Sequence, residues 1–216
     1  MRSDSQIRDD VIDQLRWEPT VTSTDIGVTV KDGVATLTGR VPYYAEKLAA
    51  ERAAQRVAGV KAVAEEIQVE LLGSHERDDT DIAGAAVDAL AWHVWVPSTV
   101  KATVEKGIVT LTGEVRWEFE RNAAFDAVRY LDGVKGVRDL ITIKPKVKPT
   151  EVKDKIEKAF ERNAVLDAKK IKVEAVGGDV TLSGNVRSWA ERAEAYSAAY
   201  SAPGVKSVAN LITVSS

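Results

Sequence analysis

One pattern occurs three times along the 216 residues of the chain. A short run with a central Thr-Leu lies between two glycines, and a Gly-Val pair follows twenty residues after the second glycine. The runs are 33–39, 107–113 and 178–184, and the pairs begin at Gly59, Gly133 and Gly204. Because the spacing holds without insertion in all three copies, the chain is predicted to consist of tandem repeats of about 70 residues each.

Each repeat contains every element that a small hydrophobic core needs, so we expect three separate domains and not one stacked array. The predicted domains cover residues 1–72, 78–144 and 149–216. The segments 73–77 and 145–149 are interpreted as linkers, and prolines bound the second of them.

The order of elements predicted for each repeat is αββαβ. Ile7, Val11 and Leu15 recur at helical spacing, and the two strands that follow alternate around a two-residue turn at Asp32-Gly33. The second helix carries a stripe of small residues that lets it lie close to a sheet. The fold class is therefore α+β, with a three-stranded mixed sheet in each repeat, both helices on one face and the other face open.

Six glycines are expected to have structural roles. Gly39 lies two residues after the inward-facing Leu37, on the same face of the strand, where a side chain would stand between the sheet and a helix. Close backbone approach is the predicted reason for a glycine there. The set consists of Gly39, Gly113 and Gly184 in the second strands and Gly59, Gly133 and Gly204 before the third strands.

The open sheet faces differ between repeats. By alternation, Leu140 and Leu211 point away from the helices, whereas the first repeat has Glu66 at that position. An exposed leucine predicts that the second and third repeats pack on something. Packing within the chain is one alternative, and a partner, including a second copy that pairs through the open faces, is the other.

The glycine-bounded strand, the Gly-Val pair and the alternating strand after it resemble the BON domain, a family named after bacterial osmotically inducible and nodulation proteins. The resemblance extends over nearly the whole chain, three times. It implies a bacterial binding module linked to osmotic or envelope stress, proposed to bind phospholipid membranes, without a catalytic residue set. Some members are linked to potassium sensing or to holding client proteins.

Many members of this family are exported, but the N-terminus here is charged where a signal peptide would be apolar. A cytoplasmic location is expected for the chain as written, and a periplasmic one if it is a processed form. No apolar run approaches the roughly 20 residues that span a bilayer.

The sequence predicts no enzyme. It has no cysteine and two histidines, and neither histidine lies in a metal-ligand or catalytic spacing. We therefore expect no catalytic residue, metal site or cofactor. The net charge of −3 is not the positive charge typical of nucleic-acid-binding proteins, so no nucleic acid is expected as a partner.

Two groups of residues are candidates for contact with an anionic phospholipid surface or a protein. Aromatic residues gather where the second helix of each repeat begins, and the third repeat is basic, with 12 Lys and Arg against 9 Asp and Glu in residues 145–216. The candidates are Tyr43, Tyr44, Trp117, Phe119 and Trp189, and Lys169, Lys170 and Lys172.

Each group has an alternative interpretation. The aromatic rings can cap the core or fill contacts between domains. The lysines can be simply solvated, or can meet the acidic first repeats of the same or another copy. An alternative function is a cytosolic module that responds to a monovalent cation such as potassium, held by backbone carbonyls near Gly59, Gly133 or Gly204.

Overall fold

The computed structural model describes residues 2–71, 73–144 and 151–214, so the predicted linker at 145–149 lies outside the described residues. The helices are α1 (Asp4–Trp17), α2 (Tyr44–Gln55), α3 (Asp79–Trp92), α4 (Glu118–Val128), α5 (Val152–Arg162) and α6 (Trp189–Tyr200). The strands are β1 (Ile26–Lys31), β2 (Val34–Val41), β3 (Ala62–Val69), β4 (Lys101–Glu105), β5 (Ile108–Val115), β6 (Gly136–Ile143), β7 (Ile171–Val176), β8 (Asp179–Val186) and β9 (Ser207–Val214). The predicted order of elements is confirmed in all three repeats.

The three sheets have the same strand order, with the second strand of each repeat in the centre. In the first repeat, β1 runs antiparallel to β2, and Lys31 pairs with Val34, which leaves Asp32-Gly33 as the predicted two-residue turn. Strand β3 then pairs parallel with β2. A parallel pairing needs a crossover connection, and α2 provides it. The third repeat repeats both pairings.

The core of the first repeat lies between its helices and one face of its sheet. Ile7, Val11 and Leu15 of α1, small residues of α2 and alternate residues of the strands form one buried cluster. The opposite face is polar or exposed, as at Thr38. Leu140 and Leu211 are exposed too, as strand alternation predicts.

By its contacts the chain divides into two compact units. One unit contains residues up to 114 together with 119–142, and the other contains 115–118 and 143–216. The first two repeats thus fall mainly in one unit. This division does not test the three predicted domain limits, which stay predictions.

The glycine in each central strand touches backbone. Gly39 has φ +131°, and a Cβ atom built on it would lie 2.0 Å from the carbonyl oxygen of Asp25, just before β1. The same close approach occurs at Gly113 and Gly184. The group opposite these glycines is therefore the carbonyl that leads into the first strand, and a side chain has no room there.

Two buried glutamates fasten the start of the second helix to the loop after the first helix. Glu46 accepts a hydrogen bond from the backbone amide of Thr22, and Glu191 accepts one from Asp167 at 3.2 Å and one from Arg187 at 2.9 Å. Both side chains are almost inaccessible to solvent. Each carboxylate therefore fixes the end of the repeat at which the candidate aromatic residues lie.

The charge of Glu191 is stabilised in the folded protein. Burial alone raises its pKa, but the hydrogen bonds from the backbone of Arg187 and Asp167 and the charge of Arg187 outweigh it and lower the pKa below its usual range. Glu51, on α2, shows the opposite balance, because burial and the nearby charge of Glu65 raise its pKa.

We predict that Gly39→Ala lowers the free energy of unfolding by at least about 2–3 kcal/mol, from backbone strain and from the clash with the Asp25 carbonyl. Gly84→Ala is the matched control. Gly84 lies in α3 with nothing within 4 Å of a built Cβ, so this change should stabilise the protein slightly. Urea denaturation measures both, and equal effects of the two substitutions would contradict the assigned role of Gly39.

Glu191→Gln is expected to lower the free energy of unfolding at pH 7 by about 1–3 kcal/mol, because it removes a charge that buried donors share. The pKa of Glu191 is lower in the folded state, so this stabilisation is present above the ordinary glutamate pKa of about 4.3 and is lost as the pH falls through the folded-state value.

Glu51→Gln should act in the opposite direction, because the raised pKa of Glu51 shows that folding disfavours its charged form. Urea denaturation at pH 7 and pH 3 compares both variants with the parent protein. Loss of stability at pH 7 in both variants would show that the assignment of the two carboxylates is wrong.

Candidate functional site

The described residues do not form a metal centre. Over the described ranges, no three His, Asp or Glu side chains come together to hold a metal ion. His75 lies in a short 3-10 helix at Gly73–His75, and His93 follows α3.

His75 joins the first repeat to the second. Its Nε2 is 3.0 Å from the hydroxyl oxygen of Tyr43, and its Nδ1 is 3.1 Å from a carboxylate oxygen of Asp132. The rings of Tyr43 and His75 also meet edge to face, with centroids 5.1 Å apart. A residue of the predicted linker thus bonds to both repeats and is part of the contact between them.

Tyr44 lies in the same contact. Burial raises the pKa of its phenol, against the lowering effect of a hydrogen bond with the backbone of Val137. Tyr43, Tyr44, His75 and Asp132 line a cleft of about 530 Å³ between the first two repeats. The structure thus places these two candidate tyrosines between domains, which is the alternative interpretation of the aromatic group.

The other candidate aromatic residues differ in exposure. Trp117 and Trp189 are half-buried, and the guanidinium of Arg192 lies 5.0 Å from the centre of the Trp189 ring. Phe119 is 50% exposed and meets Trp95 edge to face, with centroids 5.6 Å apart. Phe119 is therefore the most accessible of the five.

The candidate lysines are exposed, but two of them have carboxylate partners. Lys170 lies 3.4 Å from Asp167, and Lys172 lies 2.5 Å from Glu174. Part of the positive charge predicted for this region is thus balanced within the same repeat.

An apolar surface that the sequence reasoning missed lies beside Phe119. Trp92 is 88% exposed, Val94 83% and Trp95 59%. These three residues and Phe119 are called the aromatic tip below. Trp92 lies two residues beyond Leu90, the last buried residue of α3, and so falls outside the apolar stripe of the helix. A tryptophan on the polar side of an amphipathic helix was the signal available in the sequence.

In the first repeat, the turn region considered for a monovalent cation already contains a lysine ammonium. In the first repeat, the ammonium of Lys61 donates a hydrogen bond to the Asp32 carbonyl at 3.1 Å. The Gly59 carbonyl faces Gly33, where a built Cβ would lie 3.1 Å from it. At least one carbonyl of this turn region thus already has a cationic partner from the chain itself.

The described helices include none that is long and apolar enough to cross a bilayer. The sequence profile of the BON domain matches three consecutive segments, residues 3–70, 78–145 and 150–216. The chain belongs to the BON family. The predicted resemblance is therefore confirmed, and the αββαβ units described above are three BON domains in tandem.

Among relatives of this BON protein is the osmotically-inducible protein Y of Escherichia coli (strain K12), which is 29% identical over 142 residues. The match covers 62% of this chain and 71% of the relative.

Two solved structures of CdsD, a structural protein of the type III secretion system of Chlamydia trachomatis, are also similar. The C-terminal domain of CdsD is 14% identical, with 100% of both chains covered and a TM-score of 0.28. The other structure is 15% identical, with 94% of this chain and 90% of CdsD covered and a TM-score of 0.26. Scores this low support no structural argument.

We predict that Tyr43 and His75 contribute jointly to stability. Tyr43→Phe and His75→Ala should each lower the free energy of unfolding by about 0.5–1.5 kcal/mol, and the double variant should lose less than the sum, because both singles remove the same hydrogen bond. A double-mutant cycle by urea denaturation measures the coupling. Strict additivity would show that the hydrogen bond between Tyr43 and His75 contributes nothing to stability.

Proposed function

We propose that this BON protein is a non-catalytic binding protein of osmotic stress that attaches to phospholipid bilayers through the aromatic tip of its second repeat. The observation that carries the proposal is the exposure of Trp92, Val94 and Trp95 beside the half-exposed ring of Phe119. Large apolar side chains rarely gather at the surface of a protein unless they contact a partner or a membrane.

The chemistry of the tip suits the boundary between headgroups and acyl chains. Indole rings combine an apolar body with one hydrogen-bond donor, and such amphipathic rings are enriched at bilayer interfaces. Val94 lies between the two tryptophans, in the turn that follows α3, and its exposed side chain adds apolar surface to the tip. The tip thus offers insertion as the source of affinity.

Charge alone does not favour an anionic surface for the first two repeats. Residues 1–144 carry 18 Lys and Arg against 24 Asp and Glu. Attraction to anionic lipid would have to come from the basic third repeat, where Lys170 and Lys172 are already paired. Insertion of the tip is therefore proposed as the main contribution to the free energy of membrane binding, and this binding should depend only weakly on salt.

The relative from Escherichia coli is named as osmotically inducible, which supports an osmotic-stress role for this chain. Cofactors have no part in this proposal.

The expected result for Trp92→Ser with Trp95→Ser is at least about a tenfold loss of binding to phosphatidylcholine vesicles, because each indole removed from the interface costs more than about 1 kcal/mol. Vesicle co-sedimentation measures the partition. Leu211→Ser, which changes an exposed apolar residue on the third sheet, is the matched control and should bind as the parent does.

The dependence of binding on salt concentration distinguishes insertion of the tip from electrostatic attraction to anionic lipid. Binding through the tip should change little between 0.05 and 0.5 M NaCl, and Lys169→Glu with Lys170→Glu should have little effect. Binding that requires anionic lipid, disappears in high salt and depends on those lysines would show that the tip is not the contact. Failure of the parent protein to sediment with any vesicle would refute membrane attachment and leave a protein as the partner of the tip.

A further inference from the structure

The third repeat has a cationic groove between its two helices, α5 and α6. Lys155, Lys158 and Arg162 line it from α5, and small residues such as Ala198 and Ala202 line it from α6. The groove has a volume of about 350 Å³, and none of the residues that the structure shows lining it is acidic. The small side chains keep the space above α6 open, so a rod-like ligand can lie between the cations and this wall.

The charges of α5 are sorted across the helix. Glu157 and Glu161 lie on the other side, where they line a separate pocket with Leu166 and Asp167. Three cations of α5 thus lie on the α6 side, whereas Lys153 lies 3.7 Å from Glu157 on the other side, and the repeat as a whole is the basic one. A groove with this charge fits a partner with negative charge.

The first repeat carries the opposite charges at the same positions. Three buried residues of α5 and three of α1 fall in the same register, Val152, Ile156 and Phe160 against Ile7, Val11 and Leu15. In that register the pairs of corresponding residues are Lys155 and Asp10, Lys158 and Asp13, and Arg162 and Trp17. Trp17 is 83% exposed. One chain therefore presents two helix faces of equal spacing and opposite character.

We infer that the groove binds helix α1 of a second copy of this chain. If the two helices run parallel, Asp10 meets Lys155, Asp13 meets Lys158 and the Trp17 ring meets the Arg162 guanidinium. The match is one-for-one because both sets are spaced i, i+3 and i+7, a rise of about 10 Å. Two ion pairs and one cation–π contact then hold the helix beside the small residues of α6.

The present partners of the two aspartates do not oppose this contact. Asp10 pairs with Arg2 at 2.5 Å and Asp13 with Arg16 at 3.2 Å, and all four side chains are well exposed. Exposed pairs of this kind contribute little to stability, so they can be exchanged. The contact joins different surfaces of two copies, and repetition of it links chains head to tail.

The test is sedimentation equilibrium of the full chain over roughly 10–500 µM at low salt. We expect the parent protein to associate reversibly and to become monomeric in 0.5 M NaCl. Lys155→Glu with Lys158→Glu (the groove variant) and Asp10→Lys with Asp13→Lys (the helix variant) should each weaken association at least about tenfold. Trp17→Ala is a second helix variant that leaves the charge unchanged and should weaken association too.

Mixing gives the sharpest result. The groove variant keeps a normal α1 and the helix variant keeps a normal groove, while the exchanged helix of one matches the exchanged groove of the other. An equimolar mixture should therefore associate again, with the two variants alternating, although each variant alone is mostly monomeric. A chain with all four substitutions should associate again, since both charges are exchanged. Lys169→Glu with Lys170→Glu makes the same charge change in the same repeat outside the groove and should associate as the parent does.

Three results would overturn the inference. They are a parent protein that is monomeric at all concentrations, association that survives in the groove variant, and equal loss of association in the Lys169/Lys170 control. Circular dichroism melts confirm that each variant folds. A monomeric parent whose binding to anionic vesicles is lost in the groove variant would identify a membrane, and not a second copy, as the occupant.

Discussion

The contact between the central-strand glycine and the carbonyl before the first strand sets the geometry of every repeat. At Gly39 a built Cβ would lie 2.0 Å from the Asp25 oxygen, so the loop before β1 can pass this close to β2 only where β2 has a glycine. This close approach leads the chain from the first helix into the sheet. The position of that helix over the sheet, and with it the shape of the core, follows from this point.

The buried glutamates hold the same loop in place from the side of the second helix. Glu46 and Glu191 belong to the second helix, yet each bonds to the loop that comes after the first helix, 24 residues earlier in the chain. The backbone amides of Thr22 and Asp167 thus gain a partner in a carboxylate that is itself buried. The carboxylate therefore holds the two helices in register, and at Glu191 the backbone hydrogen bonds of Arg187 and Asp167 lower its pKa and favour the charged form.

Much of this fold could be read from the sequence, since it depends on local periodicity. The repeats, the two-residue turns, the mixed sheets and the outward direction of Leu140 and Leu211 all follow from spacing and alternation. The loop-fastening role of Glu46 could not be read in the same way. A glutamate in the first turn of a helix is favoured by the helix dipole alone, and the hydrogen-bond partner of Glu46, Thr22, is distant in sequence.

The candidate site was less predictable for a similar reason. Tyr43 and Tyr44 were recognised as unusual, but only tertiary structure shows that they meet His75 and the second repeat. Trp92 could have been found, because it lies outside the apolar stripe of α3, and Trp95 follows three residues beyond the end of the same helix. Periodicity in the sequence identifies apolar residues that lie outside the core of their own repeat. It does not identify what each of them contacts, because those contacts come from the neighbouring domain.

The bridge through His75 changes what the first linker is. A tether would tolerate any sequence of suitable length, but this segment supplies an imidazole that is bonded on one side to Tyr43 and on the other to Asp132. The first two repeats therefore share a residue that belongs to neither. Single domains expressed with a boundary in this segment would lose the contacts of His75 with Tyr43 and Asp132. A flexible spacer inserted there would separate the first two repeats in the same way.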